Sequence, residues 1–129
     1  LYPNNEQGKA QCIEDFNEIL QEIDKGIDEA FDIRPKAGCE VKRIPAFSEQ
    51  NSAGGYYQSP SMDGTRPGAF YVNLRDTAEV PKFTMRTLTY HEAIPGHHFQ
   101  IAIEMELGEI PLFRKNLWLP AYVNVMYSI

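Results

Sequence analysis

The residues best able to do chemistry sit in one short run, Tyr90-His91-Glu92-Ala93-Ile94-Pro95-Gly96-His97-His98, which holds all three histidines of the chain. Imidazoles beside a carboxylate are the groups that hold a zinc ion and manage the proton of the water it activates. In the helical motif His-Glu-x-x-His the second histidine falls one turn after the first, on the same face. Here that position is Pro95, and the next histidines come six and seven residues after His91. On a straight helix His91 and His98 share a face but stand about 10 Å apart along the axis, and His97 points elsewhere. One zinc needs both nitrogens within about 2.0–2.1 Å, so an unbroken helix can use neither pair.

Pro95-Gly96 offers a way out. Proline removes an amide donor and collides with the preceding turn, while glycine accepts backbone geometries that other residues avoid. A bulge or break here loops out the extra residues and brings His91 and His97 together; interruptions of this kind recur at functional sites. Glu92 then lies beside the metal, placed to take a proton from water. The same residues admit a plainer reading, in which Pro95-Gly96 ends one helix and the histidines cap the next.

The elements that must carry this run are legible around it. Ile13, Phe16, Leu20, Ile23, Ile27 and Phe31 step by three or four, marking the apolar face of an amphipathic helix that Pro35 and Lys36-Ala37-Gly38 end. Its acidic residues form a solvated face. Strand patterns follow at residues 40–44, 55–58 and 68–74, with 59–67 as an exposed connection, and a small antiparallel sheet is their expected product. Pro81 suits the first turn of a helix leading into the histidines. Phe99, Ala102, Ile103 and Leu107 continue at helical spacing, Gly108 stops that helix, and Pro111 opens another that bends at Pro120. The fold class is therefore α+β: an N-terminal helix, a small antiparallel sheet, then helices bearing the histidine motif.

Composition narrows the function. The 129 residues suffice for one domain, and the apolar run at the C-terminal end reads as a piece of something longer. A net charge of -6 argues against nucleic acid as a partner. No run reaches the roughly 18 apolar residues of a membrane span. Cys12 and Cys39 are too far apart for a CxxC pair and read as buried thiols, or as a bridge in an oxidising compartment. Nothing in the pattern specifies an oligomeric state.

The segment His-Glu-Ala-Ile-Pro-Gly-His-His-Phe-Gln resembles the signature of a bacterial family known as domain of unknown function 885, related to zincin metallopeptidases. Thr87-Leu88, the Arg66-Pro67-Gly68-Ala69-Phe70 stretch and Asn73 match as well, so the resemblance runs from about Val41 to Tyr122. It implies a zincin-like core and a zinc-dependent hydrolase acting on a peptide or protein substrate. His91 and His97 match the metal ligands, Glu92 the general base, and His98 a supporting residue or alternate ligand. Residues 69–74 resemble the sheet edge along which zincins hold an extended peptide.

The resemblance fails at the third ligand. In the family this resembles a glutamate on a later helix, within a Glu-Gly-Trp-Ala-Leu-Tyr-like run; the matching stretch here carries Asn124, and no Asp or Glu follows Glu109. Glu104 stands too far from His97 along its own helix to share an ion with it. The chain thus reads as two ligands and a base, an incomplete site. The alternative is a non-catalytic, degenerate zincin-fold module that binds a peptide or protein partner. Tyr56, Tyr57, Tyr71 and Tyr90 are conceivable oxyanion donors but read better as packed aromatics with satisfied hydroxyls. Arg66 and Arg86 read as surface ion-pair residues.

Overall fold

Asn5 opens the first helix by accepting the Gly8 amide through its side chain at 2.8 Å, satisfying one of the donors every helix start leaves over. In the computed structural model, which describes residues 1–106, this helix α1 spans Glu6–Gly26. The strands β1 (Cys39–Arg43), β2 (Gly55–Gln58) and β3 (Gly68–Val72) follow, then α2 (Lys82–Glu92) and α3 (His97–Glu106). Leu107, Gly108, the helix expected from Pro111 and Asn124 lie outside the described residues.

α1 buries Cys12, Phe16, Leu20 and Ile23, and Phe16 meets Phe70 of β3 edge-on at 5.9 Å between ring centroids. The helix ends earlier than the apolar spacing suggests. Gly26, a weak helix former, gives way to a single 3₁₀ turn at Ile27–Glu29 that keeps Ile27 buried. Phe31 lies beyond it, 41% exposed, with its ring against Phe99 of α3. Cys12 and Cys39 are both free thiols, and burial pushes their pKa up to about 11 and about 12.

The sheet corrects two expectations. It is mixed rather than antiparallel, in the order β1-β3-β2, with β3 parallel to β1 and antiparallel to β2. Composition explains the order. β3 reads Gly-Ala-Phe-Tyr-Val and is buried at every position but Tyr71, so it takes the centre, where backbone is paired on both sides. β1 and β2 carry Glu40, Lys42 and Gln58 and take the flanks. β3 is consequently not the edge on which a peptide could be added. The free side of β1 is also occupied: the Asn17 side chain of α1 receives the Val41 amide at 2.9 Å and donates to the Val41 carbonyl at 3.0 Å.

Asn73, one of the residues that carry the resemblance, has a structural role. It is 1% exposed, and its amide nitrogen reaches the carbonyls of Glu49, Ser52 and Ala53 at 2.7–3.1 Å, fastening the 49–53 segment to the end of β3. Glu49 itself is nearly buried and takes Arg43 Nε at 2.6 Å, while Arg43 also bonds Glu6 at 2.6 Å. The Arg43 hydrogen bond holds the Glu49 carboxyl below its ordinary 4.5, against the opposing effect of burial. Folded Glu49 therefore binds its proton less tightly than unfolded Glu49, and its contribution is present above about pH 4.5 and lost as pH falls below it. Urea unfolding should show the advantage of wild type over Glu49→Gln narrowing in that acid range. A gap independent of pH would contradict the assignment.

Candidate functional site

α2 sends its last two side chains in opposite senses, His91 to solvent and Glu92 inward. Met85, Thr89 and Glu92 fall on its buried side, whereas Tyr90 and His91 are exposed. Glu92 is only 8% exposed, and this burial raises its carboxyl pKa, with the neighbouring His91 pulling the other way. A carboxylate partly removed from water is a better proton acceptor than a solvated one.

The helix then breaks, and proline accounts for the place. Pro95 has no amide to donate and disfavours helical angles at the residue before it. The chain leaves the helix at Ala93, whose φ and ψ are -105° and -95°, and the Ile94–Pro95 peptide is cis. The turn is a wide one: the Thr89 carbonyl accepts both Ala93 N at 2.9 Å and Ile94 N at 3.2 Å, and the Ala93 carbonyl accepts His98 N at 3.2 Å. Ala93 and Ile94 are buried, so the loop turns into the core while α3 restarts at His97. Gly96 is indispensable to this path. A Cβ on it would stand 2.5 Å from the Tyr90 carbonyl oxygen and still closer to the His91 carbonyl.

The break sets His91 and His97 face to edge, with ring centroids 5.1 Å apart and planes at 85°. Burial lowers the His97 pKa, and the nearby His91 lowers it further, which favours the neutral imidazole that a metal requires.

His98 goes elsewhere. It is 1% exposed; its Nδ1 lies 2.7 Å from the Tyr57 hydroxyl and its Nε2 2.9 Å from the Ala37 carbonyl oxygen. Both ring nitrogens face protein partners, so the alternate-ligand expectation for His98 does not fit this geometry. Tyr57, weighed as an oxyanion donor, spends its hydroxyl on this bond. Tyr56 and Tyr71 stack at 4.9 Å, and Arg86 pairs with Glu22 at 2.6 Å. Arg66 donates to the Ser59 carbonyl. The pairing of Tyr57 with His98 has no signal in the sequence, whereas Gly96 announces itself by its place directly after a helix-breaking proline.

Among the described residues no group of three or more His, Cys, Asp or Glu side chains is arranged to hold a metal ion. Glu106, at the far end of α3, turns to the Lys36 and Ala37 amides instead. A cleft of about 440 Å³ beside α1 is lined by Asp24, Arg34, Cys39 and His98, but by none of His91, Glu92 or His97. A shallower groove of about 380 Å³ does reach the motif, through Tyr90 and Pro95, and is floored by Ile23, Ile27 and Phe31.

Fold and site together define an α+β domain in which a His-Glu pair ending one helix meets a histidine starting the next. The chain belongs to the family described as bacterial protein of unknown function (DUF885), whose profile matches residues 1–124, including α1. It is also similar to the crystal structure of "the putative lipoprotein from Colwellia psychrerythraea", with a TM-score of 0.84 and 37% identity over 98% of this chain. That alignment covers 21% of the other chain, so the present chain spans about a fifth of its length. No curated protein matches.

Proposed function

We propose that His91 and His97 are two protein ligands of a zinc centre, and that Glu92 is its general base, in a hydrolase of the metallopeptidase type. The observation that carries this reading is the pairing of the two rings across the break. Two imidazoles bound roughly tetrahedrally to one zinc, each nitrogen about 2.0–2.1 Å from it, have centroids about 5 Å apart. The His91–His97 separation is 5.1 Å. The donor pair therefore suits zinc, and His91 is open to solvent, as an entry route requires.

Zinc, when bound, supplies Lewis acidity that polarises a carbonyl and eases removal of a proton from water. The chain supplies the rest. His91 and His97 donate neutral imidazole nitrogens, and the Glu92 carboxylate receives the proton and later returns it to the leaving amine. Among the described residues, an extended peptide finds no room on β3 and little on β1, which leaves β2 as the strand to pair with it. A catalytic zinc needs a third protein ligand, and among the described residues no group of three His, Cys, Asp or Glu side chains is arranged around one ion. Since the chain spans a fifth of its relative's length, hydrolysis is proposed for the intact protein.

Asn124 in place of a glutamate favours a second reading, a non-catalytic module that binds a peptide or protein partner. Metal analysis separates zinc binding from its absence. Protein purified without chelator and supplied with zinc should retain about one equivalent, and His91→Ala should retain none. No uptake by wild type would overturn the metal centre.

A further inference from the structure

His98 bonds at both ends of its ring to elements distant from α3. Its Nε2 faces the Ala37 carbonyl, which only accepts, so Nε2 carries the hydrogen. Nδ1 then has the lone pair and accepts the Tyr57 hydroxyl hydrogen. One buried ring thus ties the first turn of α3 to β2 and to the loop that leads into β1. Gly68, at the start of β3, leaves space for this bridge: a Cβ there would stand 2.5 Å from the Tyr57 oxygen and 2.6 Å from His98 Nδ1. The last turn of α3 is held to the same loop, because Glu106 accepts the Lys36 amide at 2.7 Å and the Ala37 amide at 3.3 Å.

Successive residues on a helix point about 100° apart, so fixing the His98 ring fixes the direction in which His97 leaves the backbone. We infer that His98 is the positioning residue of the site: the Tyr57–His98–Ala37 bridge sets the rotation of α3 that holds the His97 ring against His91. Its bearing on metal rests on the zinc reading above; its bearing on the ring geometry does not. Groups that orient a ligand in this way typically change metal affinity about 10- to 100-fold when removed.

The test uses the whole chain, with histidine-labelled NMR for geometry and zinc titration for affinity. Wild type should show the Nε2-H tautomer at His98 and a cross-relaxation contact between the His91 and His97 rings. His98→Ala and Tyr57→Phe should weaken that contact and lower zinc affinity about 10- to 100-fold. His98→Gln, which keeps one donor and one acceptor, should restore most of both, whereas a merely structural role would give no such rescue. Tyr57→Phe, which removes a single oxygen, keeps the test open if His98→Ala fails to fold. An unchanged ring contact in Tyr57→Phe, or in a folded His98→Ala, would overturn the inference. So would full zinc affinity in Tyr57→Phe or in a folded His98→Ala, with the metal reading left standing. Ring contact that follows the bridge in a protein taking up no zinc would support the positioning role and overturn the metal reading alone.

Discussion

Glu92→Gln should leave zinc uptake intact and lower hydrolysis by the intact protein about 10²- to 10⁴-fold, the usual worth of a positioned general base. The substitution preserves size, so the end of α2 and the His91–His97 separation stay as they are. What it removes is a site for a proton. Glu92 is 8% exposed and adjoins His91, and burial makes its carboxylate more basic than a surface one. An amide cannot take a proton in this range, and so the acid limb of the pH–rate profile should disappear with the residual activity. Steady-state kinetics on zinc-loaded wild type and variant check this. Activity that survives in Glu92→Gln at the same zinc content would remove Glu92 from the chemistry. Absence of activity in zinc-loaded wild type would favour the non-catalytic module.

Gly96→Ala should both destabilise the fold and weaken zinc binding. The added methyl meets the carbonyls of Tyr90 and His91, and these are backbone atoms ending a helix, unable to rotate aside as a side chain would. Relief comes only by moving α3 away from α2, which separates the two histidine rings. Overpacking of this kind costs about 1–3 kcal/mol and occasionally more. Gly26→Ala is the control, since a Cβ there meets nothing within 4 Å and alanine suits a helix end better than glycine does. Denaturant unfolding and zinc titration of both variants should show a loss in each property for Gly96→Ala and none for Gly26→Ala. Equal behaviour of the two would mean that the close approach at Gly96 does not hold the site together.

Much of this was legible in the sequence because it depends on local chemistry. Pro95 and Gly96 are enough to place a break, since a missing amide and a missing side chain act within a turn. The strands at 39–43, 55–58 and 68–72 fall within a residue or two of their expected positions, because alternation and turn residues mark them. Their order does not follow from such signals. Alternation assigns a face to each residue but names no neighbour, so the parallel pairing of β1 with β3, and the loss of β3 as an edge, emerge only in three dimensions.

The histidine doublet shows the same limit. His97 and His98 are adjacent and chemically identical, and their roles are divided by Tyr57 and Ala37, 41 and 61 residues away in sequence. The early end of α1 has a different origin. Apolar spacing continues through Ile27, but Gly26 interrupts the hydrogen-bonded helix first. No acidic third ligand stands out in the sequence, and among the described residues no group of three His, Cys, Asp or Glu side chains is arranged to hold a metal ion.

His91 and His97, and not His98, are proposed to hold one metal ion. Nitrogen NMR of the labelled histidine rings during a zinc titration tests it most directly. Up to one equivalent of zinc, a ring nitrogen of His91 and one of His97 should shift together in saturable steps, while both His98 nitrogens keep their free-protein positions. Zinc shifts at His98, or no shift at His91 and His97 at saturating zinc, would contradict the account.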